Sequence, residues 1–343
     1  MANRYKQKHM KVSLKERSNT IWKIAQFVLA RDMPAFKIVV TIMALALLAA
    51  SITAFTELSK GSILITKSAQ NTEPQLIGGK EDIDKGDILI KSGRPKDCTP
   101  LHFSPVALPH IALVSVPGSG NTWARHLIQQ ATGIYTGSMY KETNIDKTIF
   151  PNRPFNNSVI VMKRHTRWSV GTPIVKAILL VRNPMDAFVA AYNRIKSNKT
   201  GHAPKSLFHS KDWRTFVTDR GSKWLLHGVN WLAFPYGPVH VVKFENLQSN
   251  LKEELRKICI FLDHPASEET LNCAVRNAEG AYKRNRTETD RSIFPERLLK
   301  KLESDILFFD YITEGYEKLN REKYHIYNPK RVDYKEIHMK RNS

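Results

Sequence analysis

Four short apolar runs, each closing in a polar turn and three of them leading into a helix-like stretch, set the architecture of this chain. Residues 111–116 end in Pro117-Gly118-Ser119-Gly120-Asn121-Thr122-Trp123, with a helical stretch from Ala124. Residues 159–162 lead into Lys163-Arg164-His165. Residues 177–181 lead into Arg182-Asn183-Pro184 and a helix over 186–194, and residues 239–244 into Glu245 and a helix over 248–262. Runs this short and this uniformly apolar suit strands buried on both faces of a parallel sheet, with helices packed on each side. In such sheets ligands gather at the carboxyl ends of the strands. Three of the runs end in residues with chemistry, so these residues are expected to share one cleft. The expected fold class is α/β, a P-loop-like, mainly parallel sheet flanked by helices over residues 105–325.

A different signal precedes this domain. Residues 38–56 contain no charge and are apolar on every face, and as a helix they would be about 28 Å long, close to the hydrocarbon thickness of a bilayer. The alternative, a buried core helix, would show a 3.6-residue alternation that is absent. The tail at 1–37 carries nine basic residues against Glu16 and Asp32. The positive-inside rule therefore keeps the tail cytosolic and sends the rest of the chain into the lumen as an uncleaved type II signal-anchor. Residues 57–104 mix Gly, Pro, Ser and charge and read as a stem. Residues 326–343 read as a basic tail.

The formal net charge is +21, which calls for an anionic partner. A lumenal address removes nucleic acid from the candidates and leaves the membrane surface, phosphorylated or sulfated small molecules, and acidic glycans. Three cysteines, Cys98, Cys259 and Cys273, are too few for a disulfide-stapled miniprotein or a four-cysteine zinc ribbon. Cys259 and Cys273 could pair, or Cys259 could be a core thiol in its apolar run. Sequons begin at Asn156, Asn198 and Asn285, all open to glycosylation in this orientation.

The strand–glycine loop–helix unit at 111–124 presents successive backbone N–H groups and a helix start to a phosphate. Gly118 and Gly120 allow close approach, while Ser119, Asn121 and Thr122 add side-chain donors. No Lys precedes Thr122, so this is not a nucleotide triphosphatase loop. PGSGNTW followed by LLVRNPMDAFVAAYNR resembles the paired 5′- and 3′-phosphosulfate motifs of sulfotransferases. SVPGSGNTWARHLIQQATGIYTGSMY and GAYKRNR are similar to the sulfotransferase part of the WSC-domain-containing (WSCD) family, here without the WSC modules.

The resemblance implies a sulfotransferase fold and 3′-phosphoadenosine 5′-phosphosulfate (PAPS) as donor, with no metal. Residues Gly118, Ser119, Gly120, Asn121 and Thr122 would cradle the 5′-phosphosulfate, with Trp123 stacked on adenine or packed in the core. Arg182 would take the 3′-phosphate through a guanidinium fork, helped by Lys283 and Arg284. Ala190 stands where the family pattern often has Ser, so one hydroxyl contact is missing.

Lys163-Arg164-His165 resembles the Lys-Thr-His element whose His deprotonates the acceptor hydroxyl. His165 is thus the expected base, with Glu142 as substitute. Gly118 stands where many cytosolic sulfotransferases have a Lys over the leaving oxygen. Lys163, or second Arg125, is expected to supply that charge. Glu245 is expected to be structural. Residues 197–213 form either an acceptor-side loop or a solvated one. The implied activity is sulfuryl transfer in the Golgi to a glycan or glycoprotein hydroxyl, on a sialic acid-bearing acceptor. A lumenal nucleotide-dependent kinase and an inactive PAPS- or glycan-binding protein are the alternatives.

Overall fold

The computed structural model describes residues 100–142, 149–151, 157–168, 174–197, 201–234, 237–279 and 288–324, with side chains to 318. The anchor at 38–56, residues 57–99 of the expected stem, the basic tails, Cys98, the Asn of each sequon and the pair Lys283-Arg284 lie outside these residues, while 100–104, expected to belong to the stem, pack on the domain through a His102–Ile134 bridge. No helix among the described residues is long and apolar enough to cross a membrane.

Five strands form one fully parallel sheet: β1 (Ile111–Val114), β2 (Gly137–Ser138), β3 (Met162–Arg164), β4 (Lys176–Val181) and β5 (Val239–Lys243), in the order β2-β3-β1-β4-β5. Val114 pairs with Arg164 on one side and Leu179 on the other. The chain reverses direction across the sheet at β1, and the crevice such a reversal opens lies at the strand tips.

The α-helices among the described residues are α1 (Asn121–Thr132), α2 (Pro184–Lys196), α3 (Lys211–Leu232), α4 (Phe244–Ser249), α5 (Leu251–Phe261), α6 (Glu268–Arg276) and α7 (Glu296–Tyr324). Local chemistry explains their ends. α2 starts on an Asn183 cap whose side chain accepts from the Met185 N–H, has Pro184 in its first turn, and ends with Arg194 and Lys196 near its negative pole. α1 ends on Gly133 at φ 71°, a left-handed cap. One apolar layer, including Leu113, Leu127, Ile178, Val242 and Leu255, packs α1, α5 and α6 against the sheet.

Several sequence expectations are corrected by the ladder. β3 begins at Met162, so Lys163 and Arg164 are strand residues and only His165 follows the strand. The helix expected over 248–262 is two helices divided at Asn250, whose φ of −140° breaks the α path. The polar segment 197–213 does not stay a loop, because a 3₁₀ turn spans Lys205–His209 and α3 starts at Lys211. Trp213 is fully buried there, ringed by Tyr192, Phe208 and Phe294, and its indole N–H donates to the Ile293 carbonyl at 2.7 Å. Cys259 is a free core thiol, pushed up to about 12 by burial, while Cys273 is disulfide-bonded. The pair Cys259–Cys273 is therefore not formed.

Candidate active site

The loop after β1 is shaped by two glycines. Gly118 has φ 93° and Gly120 has φ 89°, left-handed values that carry a penalty for any residue with a Cβ. Space is as decisive as torsion. A Cβ on Gly118 would stand 1.9 Å from the Ala187 carbonyl oxygen, and one on Gly120 would stand 2.4 Å from the Phe244 ring. The loop is thus pressed between α2 and the start of α4.

Its polar atoms are held ready. Asn121 donates to the Leu113 carbonyl at 3.3 Å and to Ser115 Oγ at 3.1 Å, which ties the loop back to β1. The Ser119 hydroxyl and Asn121 Oδ1 are buried with no hydrogen-bond partner. Native interiors seldom leave such atoms orphaned, and a bound polar ligand is one way to satisfy them. An orphaned hydroxyl inside a glycine cradle at a helix start fits an anionic oxygen.

Arg182, one residue past β4, donates from Nη1 to the Gly118 carbonyl at 2.9 Å, and its guanidinium lies 4.7 Å from the Phe244 ring centroid. The two strand tips therefore meet. Phe244 is the platform under Gly120, Arg182 and the edge of Trp123, at 5.3 Å between centroids. It was legible only as the end of an apolar run.

Trp123 is half-buried, and its indole N–H donates to the Ala278 carbonyl at 2.6 Å, fixing one edge in the protein. Glu245 accepts from the Asn183 N–H at 2.9 Å, a structural role. Thr289 donates to Asp186 at 2.6 Å, so described residues on both sides of 280–287 are anchored beside the β1 loop, to α2 and α1.

The other half of the site lies at the β3 tip. His165 Nδ1 donates to the Ser115 carbonyl at 2.8 Å, which assigns the proton to Nδ1 and leaves Nε2 as the basic nitrogen. Tyr140 clamps this geometry: its hydroxyl accepts from the His165 N–H at 2.8 Å, and its ring stacks on the imidazole at 5.6 Å and 20°. Burial, with the Lys163 charge second, pushes the imidazole down to about 4.

Lys163 is buried and ion-paired with Glu142, whose other oxygen accepts from Arg125 at 2.6 Å. Burial lowers the Lys163 ammonium despite that pairing. Burial alone would raise Glu142, but Arg125 and Lys163 outweigh it and hold the carboxylate low. Glu142 is therefore a poor substitute for His165 as base. Arg125 is fully buried, donates to Thr136 Oγ1 and the Thr136 carbonyl, and covers the Phe150 ring. Its charge is engaged in the interior by Glu142 and Thr136. Among the described residues, no group of three His, Cys, Asp or Glu is placed to hold a metal ion.

The sulfotransferase domain model matches residues 108–298, more than half of the chain. The chain belongs to the sulfotransferase family. Over the same region this sulfotransferase chain is 39% identical across 180 residues to "WSCD family member CG9164" of Drosophila melanogaster, which covers 51% of the chain and 57% of that protein. It is 40% identical across 181 residues to "WSCD family member AAEL009094" of Aedes aegypti, with the same coverage. The resemblance to WSCD proteins read from the motifs is borne out. The chain spans a little over half the length of the curated relatives it matches. Among solved structures, mouse sulfotransferase SULT7A1 complexed with PAP is 16% identical, with 64% of this chain and 90% of that chain covered at a TM-score of 0.40.

His227 on α3, which the sequence reading passed over, completes the site. It hydrogen-bonds the His165 backbone and is pushed down to about 4 by burial, while His240 in β5 is pushed down to about 3 by burial. Both folded values lie below the ~6.5 of an unfolded histidine, so the unfolded chain binds more protons between them. The resulting stability is complete above about pH 6.5 and is lost as pH falls toward 4. For each buried histidine the slope approaches ~1.4 kcal/mol per pH unit in that window. The thermal midpoint should fall clearly between pH 7 and pH 5, and His240→Gln should flatten the dependence. A midpoint constant over that interval would contradict the neutral burial of these rings.

Proposed function

We propose that the chain is a Golgi type II membrane sulfotransferase that moves a sulfuryl group from PAPS to a hydroxyl of a glycan, on a sialic acid-bearing acceptor. The observation that carries the reading is the junction of the β1 loop and Arg182: a glycine cradle with an orphaned buried hydroxyl, joined to a guanidinium on the neighbouring strand tip. One glycine cradle with an orphaned hydroxyl donor would suit many anions. Two such features side by side suit a ligand with two phosphate-bearing ends.

Bound PAPS supplies an activated sulfuryl group whose acceptor–oxygen bond forms as its bond to the bridging phosphate oxygen breaks. The chain's own residues do the rest. Ser119, the loop N–H groups and the start of α1 hold the 5′ end, and Arg182 turns from the Gly118 carbonyl to the 3′-phosphate. Lys283 and Arg284 are proposed to join it. The Trp123 face turned away from Phe244 is the surface for adenine. Lys163, steadied by Glu142, places positive charge at the bridging oxygen. His165 Nε2 accepts the acceptor proton, with Nδ1 fixed on Ser115 and the ring fixed by Tyr140.

The test is transfer of labelled sulfate from PAPS to a glycan panel by the full-length protein, run with and without EDTA and with labelled ATP in parallel. Sulfuryl transfer undiminished by EDTA is expected. Transfer of phosphate from ATP, with a metal requirement, would favour a kinase. PAPS binding without transfer to any acceptor would mark an inactive binding protein.

A further inference from the structure

Two arginines on α2 and α3, Arg194 and Arg220, are used neither for the donor nor for the fold. α2 crosses the donor loop with Ala187 and Ala191 against Gly118. Arg194, three residues after Ala191 and seven after Ala187, continues the same face of α2 and is exposed, and its charge disfavours the protonated forms of Lys163, His165 and Arg220. Arg220 and His227 are seven residues apart on α3, which puts them on one face of the helix. That face meets the site, because His227 lines a small cavity with Val116 and Val181 at the strand ends, and Trp231 on the same helix donates to the Thr166 carbonyl at 3.2 Å.

Arg220 and His227 are poorly satisfied. Arg220 rests on the Phe216 ring at 4.1 Å with its Nε buried and without a hydrogen-bond partner. His227 is 6% exposed, and its Nε2 is also buried without a partner. Among the described residues no carboxylate forms an ion pair with Arg194 or Arg220. The nearby acids are engaged elsewhere: Asp219 with Lys223, Asp212 with Lys196 and Tyr192, and Glu142 with Lys163 and Arg125. Uncompensated cations held this close repel one another, and an anion between them removes the repulsion.

We infer that Arg194 and Arg220, with His227 at their edge, form an anion subsite on the acceptor side that binds a carboxylate or sulfate ester carried by the acceptor saccharide itself. The inference rests on the sulfuryl-transfer reading for the word acceptor and adds the residues that select it. The subsite lies next to the His165 base, so an anion held there sets which neighbouring hydroxyl reaches Nε2. Arg194 and Arg220 are specificity residues, and neither takes the proton.

The experiment measures binding of sialyllactose, its methyl ester and a sulfated lactose to the full-length protein, with PAP affinity measured in the same samples. Wild type should bind sialyllactose or the sulfated sugar at least ~10-fold more tightly than the uncharged ester. The carboxylate and sulfate arms distinguish the two sources of charge. Arg220→Gln and Arg194→Gln should each bring that preference close to parity and leave PAP affinity and thermal midpoint unchanged, while Arg220→Lys should keep part of it. Equal binding of acid and ester by wild type, a preference that survives both Gln variants, or no binding of any sugar at millimolar concentration would overturn the subsite. Loss of PAP binding in wild type with the anion preference intact would instead sink the donor reading and leave the subsite standing.

Discussion

His165→Ala should lower kcat for sulfuryl transfer by ~10²–10⁴-fold, the usual worth of a positioned general base, while PAP affinity stays within about twofold of wild type. The split follows from the structure. His165 meets the β1 strand end at Ser115, through the carbonyl at 2.8 Å and the hydroxyl at 3.5 Å, while the β1 loop is shaped from Gly118 onward by Asn121, α2 and Phe244. The pH profile tests the same assignment.

With the free imidazole at about 4, His165 is neutral throughout the physiological range. The acid limb of kcat/KM for the donor should lie well below the ~6.5 of an ordinary histidine. Bound donor brings negative charge beside the ring and favours the imidazolium, so the limb of kcat should sit at higher pH than that of kcat/KM. Tyr140→Phe removes the hydroxyl that accepts from the His165 N–H and should lower kcat without changing the donor constant. Transfer rates unchanged in His165→Ala would remove this residue from the mechanism.

Gly118→Ala is expected to be severely damaging for the addition of a single methyl group. The position combines φ 93° with a Cβ site 1.9 Å from a main-chain oxygen of α2. Backbone, unlike the tip of a flexible side chain, does not move aside, so either the loop or the helix must shift. Left-handed strain and overpacking together predict a loss of ~3 kcal/mol or more and no measurable PAP binding. Gly118→Lys should fail in the same way. The cation that the resemblance leads one to expect at this position therefore has no room here.

Ser119→Ala is the control that separates the two effects. It removes an orphaned hydroxyl, so the thermal midpoint should hold or rise, while donor affinity falls by ~0.5–1.5 kcal/mol. A Gly118→Ala protein with wild-type stability and donor binding would refute the packed-loop account.

What the sequence showed, and what it hid, follows from the range of the forces involved. The parallel sheet was legible because strands buried on both faces are apolar at every position, as 177–181 is. The donor loop was legible because glycines must recur where a backbone turns left-handed against a helix. Contacts set only by tertiary packing left no local mark. Phe244 looks like one more strand residue, and its place beneath Arg182, Gly120 and Trp123 depends on β5 adjoining β4. His227 sits in a helix whose period says nothing of the strand tip it faces.

Arg125 and Glu142 are ordinary polar residues in sequence, and only folding shows that they lock each other and Lys163 in the interior. The segment 197–213 misled because its polar, Gly- and Pro-bearing start hides a buried Trp213 that begins a 22-residue helix.

The central claim is that the β1 loop and Arg182 grip the two ends of one donor, and a comparison of PAP with 5′-AMP on two proteins tests it most directly. Wild type should bind PAP more tightly than AMP by ~1.5–3 kcal/mol, the worth of a charge-assisted contact to the 3′-phosphate. In Arg182→Ala that difference should vanish while AMP affinity is kept. Equal affinity of wild type for PAP and AMP, or a preference for PAP that survives in Arg182→Ala, would contradict the claim.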